Sequence, residues 1–325
     1  MANVPGILRE FGCEPESIFG SVDLKLTQFG DPDSKISYIA ASKLLARCAM
    51  ATGCQHFGLL LGARADPSFL GITGFMLRAA PDVATALKSL VRHLDLHDQG
   101  GMPTLVTRDG ATSLGYVIYQ SGVEATEQIY DLSIAIACNI MRGLCGASWK
   151  PNAVLLSRRS PQDPLPYRRF FRIPPHFDAE QNALVFQARW LDHQLTSADH
   201  LLHRYLEQEA NELHAHQNEC LVRELRRLLR KSLASKRCAV TDIASQFCMH
   251  ERTLHRRLRD EGTTFRRELE EVRYEVARQL LAESTMPLSK IATALEYADV
   301  TAFTRAFKRW SGISPGQWRV RNTRR

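Results

Sequence analysis

Apolar positions change their period several times along this chain, and each change marks an element. Residues 37–52 carry Ile39, Leu44, Leu45 and Cys48 at helical spacing, with Gly53 just beyond as a stop. Residues 81–95 open with Pro81 and Asp82 and continue through Val83, Leu87, Leu90, Val91 and Leu94, the stripe of an amphipathic helix. The β-rich runs 104–107 and 113–119 flank Asp109-Gly110, which supplies the positive φ of a hairpin turn. Residues 127–144 predict a long apolar helix ending at Gly143 or Gly146. Residues 153–157 and 182–187 predict two buried strands. The stretch 160–175 carries five Pro and predicts a loop around Tyr167 and Phe171. Four short strands with helices between them make the first part of the chain an α+β domain.

The helical period returns over residues 197–213, with Leu201, Leu202, Tyr205, Leu206 and Leu213 on one expected inward face. Polar residues 214–219 interrupt it, so the boundary is expected there, dividing the chain into 1–217 and 218–325. Over 220–233 the pattern predicts a helix with Leu221, Leu225, Leu228 and Leu229 inward. Arg223, Arg226, Arg227 and Arg230 then fall outward as solvated charges.

Beyond that point one pattern occurs twice. Ile243-Ala244, Phe247, Met249, Leu254, Arg256 and Leu258 match Ile291-Ala292, Leu295, Tyr297, Phe303, Arg305 and Phe307. Each copy predicts a short helix, a tight turn and a second helix carrying Arg, the layout of a helix-turn-helix. In the first copy, Thr241 is the expected cap and Asp242 sits at the positive helix end. The second helix, 251–260, buries Leu254 and Leu258 and presents Arg252, His255, Arg256 and Arg259, with Gly262 ending it. A long helix over 265–284 joins the modules. In the second copy Pro287 opens the first helix. The second helix, 300–310, turns Ala302, Phe303, Ala306 and Phe307 inward and Thr301, Thr304, Arg305 and Lys308 outward. Trp310, Ile313 and Trp318 cap the core.

Charge sharpens this picture. Residues 221–325 hold 23 Lys and Arg against 12 Asp and Glu, or +11, whereas the remaining 19 basic and 23 acidic residues sum to −4. Basic charge confined to one domain is the footprint of a polyanion binder. Residues 1–12 have no apolar core of a signal peptide, and no apolar run reaches the roughly 18 residues of a membrane span. Eight Cys stand singly without a CxxC, as expected of reduced thiols in a cytoplasm.

Residues 240–319 resemble the DNA-binding domain of the AraC/XylS family of bacterial transcription regulators. The residues that carry the likeness are Ile291-Ala292, Tyr297, the run from Ala302 to Trp310, Gly312, Pro315, Trp318 and Arg319. The resemblance implies base-facing roles for Arg252, His255 and Arg256 in the first module and for Val300, Thr301 and Arg305 in the second. It leaves Arg259, Thr304, Lys308 and Arg309 as phosphate contacts, which set register without reading sequence. Cys248 and Glu296 stand where this family usually has Gly, and a left-handed turn there costs roughly 1–2 kcal/mol. Over about residues 20–205 the run Phe57 to Gly62, Leu70-Gly71, Gly74, the helix after Pro81, Tyr167 to Phe171 and Asn182 to Phe186 resemble the arabinose-binding-type N-terminal domain of one branch of that family. The many helices there argue against a cupin-type jelly roll.

The expected protein is therefore an α+β N-terminal sensor domain followed by an all-α C-terminal domain with two helix-turn-helix modules joined by a linker helix. Its expected function is sequence-specific transcription regulation from the cytoplasm, one chain reading two successive major grooves. Expected partners are double-stranded promoter DNA, RNA polymerase if the protein activates, an unknown small-molecule effector, and a second copy through the N-terminal domain. No membrane partner, metal or cofactor is expected. His93 with His97, His200 with His203, and His214 with His216 have spacings that can bind zinc but lack further ligands; the first pair is read as solvated or core-edge histidines and the other two as linker composition. Cys138 and Cys145 are read as core thiols, and Trp149, Trp190 and Tyr116 as core aromatics. No nucleophile–base pair or phosphate loop supports an enzyme. Two other classes stand beside this reading: an architectural DNA binder without effector, and a DNA-repair enzyme, which in related two-module proteins uses a zinc-bound Cys cluster.

Overall fold

A computed structural model of the chain describes residues 1–29, 36–120, 122–217, 221–235, 238–247, 249–284 and 286–322. Backbone contacts divide it into two compact units, Met1–Ala210 and Asn211–Arg325. The division falls inside a helix, upstream of the polar stretch that the sequence suggested, and residues 218–220 of that stretch lie outside the described residues.

The first unit begins with α1 (Val4–Glu10) and α2 (Pro15–Gly20), then α3 (Tyr38–Thr52), α4 (Phe57–Ala63), α5 (Ile72–Ala79) and α6 (Val83–His93). Ser37 caps α3 by accepting from Ala40 N at 3.0 Å, and Gly53 closes it in a left-handed conformation. Asp82 caps α6 by accepting from Thr85 N at 2.7 Å. Strands β1 (Gly101–Arg108) and β2 (Ala111–Ile118) pair in register from Gly101 opposite Ile118 to Arg108 opposite Ala111. Their turn is only Asp109 and Gly110, both at positive φ, which matches the right-handed twist of the strands. Helix α7 (Thr126–Cys145), β3 (Ala153–Leu155), α8 (Leu165–Phe171) and β4 (Ala183–Gln187) follow. The sheet order is β1-β2-β4-β3, antiparallel throughout. Alternate residues of β2 (Thr112, Leu114, Tyr116, Ile118) and of β4 (Leu184, Phe186) are buried, and α7 packs against both strands.

The motif Phe57 to Gly62 has a packing reason. A Cβ on Gly58 would lie 2.0 Å from the Gln128 carbonyl oxygen, and one on Gly62 would lie 2.6 Å from that of Leu132. Two glycines one turn apart thus let α4 rest directly on α7. The Pro-rich stretch read as a loop contains α8 instead. Pro166 falls in its first turn, where a missing N–H is harmless, and Tyr167 and Phe171, one turn apart, are wholly buried.

Helix α9 (His200–Gln217) crosses the division. Its buried face is not the expected one. His203 and Ala210 are buried, whereas Leu201, Leu202 and Tyr205 are 70, 45 and 58% exposed. Polar partners on α6 decide this: Ser89 meets His203 Nε2 at 3.3 Å, and Glu207 reaches Arg92 at 3.4 Å and His93 at 3.6 Å.

The second unit holds α10 (Leu221–Ser235), α11 (Val240–Gln246), α12 (Glu251–Asp260), α13 (Phe265–Glu283), α14 (Leu288–Ala294), α15 (Val300–Ser311) and α16 (Pro315–Asn322). One core joins them, built on Leu225, Leu229, Ile243, Leu254, Leu258, Val272, Leu281, Ile291, Phe303 and Phe307.

Candidate nucleic-acid interface

The repeat seen in sequence is a repeat of hydrogen bonds. Met249 N donates to Ala244 O at 3.0 Å, and Tyr297 N donates to Ala292 O at 2.9 Å. Each closes the end of the first helix of its module and aims the second. Ile243, Ala244, Ile291 and Ala292 are buried beneath the turns. Glu296 adopts the left-handed conformation, φ 57°, that its position demands. It is held there by Arg273, whose guanidinium lies 3.5 Å from its carboxylate and 5.0 Å from the Tyr297 ring centre. Cys248, the matching position of the first module, lies outside the described residues. The second helices start differently. His250 Nδ1 accepts from Arg252 N at 3.3 Å, whereas Asp299 Oδ1 accepts from Ala302 N at 2.7 Å. Thr241 is not the cap of α11; Ala239 is, without a side-chain bond.

Linker helix α13 starts at Thr264, which accepts from Arg267 N at 3.2 Å. Its buried Glu268 receives the Thr263 hydroxyl and, at 2.5 Å, Arg226 Nε from α10. Arg230 of α10 reaches Glu275 of α13 at 2.6 Å, and Arg227 pairs with Glu224 on its own helix. These three arginines are not the solvated charges that sequence spacing suggests. They join or brace helices of the unit. The Arg223 side chain lies outside the description.

On α12, Arg252, His255, Arg256 and Arg259 are exposed on the side opposite Leu254 and Leu258. The His255 ring also touches the Phe265 ring edge-on, centres 6.5 Å apart. On α15, Thr301, Arg305, Lys308 and Arg309 are exposed, while Val300 and Thr304 are half-buried. Behind α15, Phe303 and Phe307 meet Tyr274, Tyr297, Trp310 and Trp318 in an aromatic cluster that fixes its face. A cleft between α13 and α15 is lined by Arg266, Glu270, Arg273, Tyr297, Arg305 and Arg309. Arg266 and Glu270 pair at i,i+4 along α13, but spacing along that helix does not reveal that Arg309 of α15 meets the same carboxylate.

The first unit holds two polar clusters. Asp131 on α7, 1% exposed, pairs with Arg158 and accepts the Tyr167 hydroxyl at 2.5 Å. Burial lifts its carboxyl to about 6, against the pull of Arg158 and Tyr167. The Tyr116 hydroxyl donates to Asp98 and meets the Tyr38 hydroxyl at 3.1 Å. Burial raises the Asp98 carboxyl from its ordinary value. Burial also pushes the Cys138 and Cys145 thiols up, to about 11 and about 12, which makes them poor nucleophiles near neutrality. His203 is no linker histidine, since it is buried against Ser89. His93 is buried and His97 is exposed at the Phe69 ring. Among the described residues no three His, Cys, Asp or Glu side chains stand together as a metal site. Among them, too, no helix is long and apolar enough to cross a membrane.

Two turns of one design, two second helices with exposed basic faces and one shared core set the frame for comparison. The arabinose-binding N-terminal domain of AraC transcription regulators matches residues 12–195. This chain belongs to the AraC/XylS family. A helix-turn-helix domain matches residues 243–321. The chain is 27% identical to the HTH-type transcriptional regulator VirS of Mycobacterium tuberculosis over 323 residues, covering 97% of this chain and 93% of that one. It is 24% identical to an ornithine utilization regulator of Pseudomonas aeruginosa over 319 residues, 96% of this chain and 93% of the other. The solved structure of the transcriptional regulator CdpR from Pseudomonas aeruginosa aligns over 81% of this chain and 86% of its own, with 23% identity and a TM-score of 0.43. Like its AraC relatives, the protein is a sequence-specific DNA-binding transcription regulator with an N-terminal sensing domain.

Proposed function

We propose that residues 218–325 bind promoter DNA as a single copy, with α12 and α15 in two successive major grooves. Arg252, His255 and Arg256, then Val300, Thr301 and Arg305, face base edges. Arg259, Thr304, Lys308 and Arg309 face phosphate. The observation that carries this reading is the paired turn geometry: equivalent bonds at Ala244 and Ala292 present two exposed basic helices from one core. Two grooves on one face of a duplex lie roughly 34 Å apart, so the footprint spans about two helical turns. Residues 1–217 bind a small-molecule effector and pair with a second copy. Exposed Leu201, Leu202 and Tyr205 on α9 support that pairing, because apolar side chains set along one helix face lose water when a like helix covers them. RNA polymerase is the further partner if the regulator activates, and the cytoplasm is its place of action.

The test is DNA binding by fragment 218–325, which contains the whole second core, together with reporter assays of the full and truncated chains. The expected result is monomeric binding, unchanged site choice and loss of signal dependence. A fragment that binds only as a dimer to a palindrome, or selects other sites, would sink the reading.

A further inference from the structure

In the cleft between α13 and α15, one carboxylate holds two arginines. Glu270 Oε2 lies 3.1 Å from Arg309 Nη2, and Glu270 Oε1 lies 3.4 Å from Arg266 Nε. The side chain of Glu270 is 30% exposed, whereas those of Arg309 and Arg266 are 58 and 86% exposed. The acid is therefore recessed and the two guanidinium groups form the outer layer. The closest approach is through one nitrogen of each guanidinium, and both side chains are more than half exposed, so their outer N–H edges face solvent where an anion can reach them. Arg305, one turn before Arg309, lines the same cleft.

We infer that Arg266 and Arg309, tethered through Glu270, form one clamp for a backbone phosphate of the bound DNA, with Glu270 as the positioning residue. This rests on the phosphate role proposed for Arg309 and adds to it a donor from the linker helix. Long arginine side chains lose rotamer freedom when they bind. A carboxylate that has already ordered both lowers that loss at the moment of docking. The opposite view has equal physical standing at the outset: a negative charge beside DNA repels phosphate, so its removal should strengthen binding. The two views predict opposite signs.

The experiment uses the full-length protein and a duplex that the wild-type protein has selected from a random-sequence pool. Binding is followed by fluorescence anisotropy over a range of salt. Glu270→Gln keeps the shape and removes the charge. The clamp requires it to weaken binding about threefold, the scale of one exposed ion pair, with the salt slope kept because both arginines remain. Arg266→Ala and Arg309→Ala should each flatten that slope by about one unit. In the Arg266→Ala/Arg309→Ala background, Glu270→Gln should have no further effect, an outcome that mere loss of stability would not produce. Unchanged or tighter binding by Glu270→Gln overturns the clamp while leaving Arg309 at phosphate. An Arg309→Ala protein with wild-type affinity and slope overturns both.

Discussion

Arg226→Ala tests whether the basic face of α10 belongs to the architecture or to the DNA. In the wild-type protein Arg226 Nε donates to Glu268 Oε2 at 2.5 Å, and the only other bond described to that carboxylate is from the Thr263 hydroxyl. Glu268 is 2% exposed. Truncation leaves a buried carboxylate with one hydroxyl donor. Breaking a fully buried pair costs about 3–5 kcal/mol. The Arg226 side chain is 37% exposed, so water already screens it, and a discount to about 2 kcal/mol is appropriate. At about 5 °C per kcal/mol for a unit of this size, the melting temperature of fragment 218–325 should fall by about 10 °C. DNA affinity measured well below the transition should stay within about twofold, since the guanidinium is spent on Glu268. Replacing both partners together, as Arg226→Leu with Glu268→Leu, should recover most of the loss, because apolar side chains leave no buried charge unpaired. The reasoning is refuted if Arg226→Ala melts within about 2 °C of wild type, or if it damages DNA binding as much as Arg256→Ala does.

Three further outcomes are expected. Gly58→Ala should destabilise the first unit by about 3 kcal/mol, since the new methyl meets the Gln128 carbonyl at 2.0 Å; Gly143→Ala, with open space around it on exposed α7 surface, should instead stabilise it by about 0.5–1 kcal/mol, and urea melts distinguish the two. The Asp131 carboxyl is raised from 3.8 to about 6 in the folded protein, so the folded state takes up a proton first as pH falls. The stability this group contributes is full below about pH 4 and is lost as pH rises to about 6; Asp131→Asn should flatten stability against pH across that window, and an unchanged slope would count against the assignment. Arg256→Ala and Arg305→Ala should each cost roughly 1–3 kcal/mol of specific binding and relax preference at different base positions, whereas Lys308→Ala should weaken all sequences alike, as selection from a random pool would read.

The sequence carried the DNA-binding half better than the sensor half, for identifiable reasons. Each helix-turn-helix is local. Its turn bond joins residues five apart, and its apolar positions fix which face of the second helix is free, so α12 and α15 were legible to within a residue. The turn at Asp109-Gly110 was legible for the same reason. What failed depended on distant partners. Helix α8 was hidden because a count of Pro does not say that Pro166 falls in a first turn. The face of α9 was misjudged because Ser89 and the α6 charges make His203 and Glu207 cheaper to cover than Leu201 and Tyr205. Arg226 and Arg230 looked like surface charge until Glu268 and Glu275 stood opposite them. Periodicity ranks side chains by apolarity alone, and a polar pair made across helices reverses that ranking.

The same distinction bears on how a sensing domain can act on DNA. A ligand shifts an equilibrium only by the difference in its affinity for the two states, and useful coupling between sites is typically about 1–3 kcal/mol. An element that carries such a signal must therefore be held by interactions of that order. An α9 anchored by its leucines would be worth far more, at about 1.5–3 kcal/mol for each buried side chain. It meets α6 through Ser89, Arg92 and His93 instead; of these contacts the Arg92–Glu207 pair is the exposed one, worth about 0–1 kcal/mol. Residues 1–210 hold 19 basic against 21 acidic residues, a net −2 that does not draw in phosphate, while the α12 and α15 surfaces carry positive charge in excess. On the proposed reading, site choice belongs to side chains of α12 and α15, and α9 is the helix through which an effector would act.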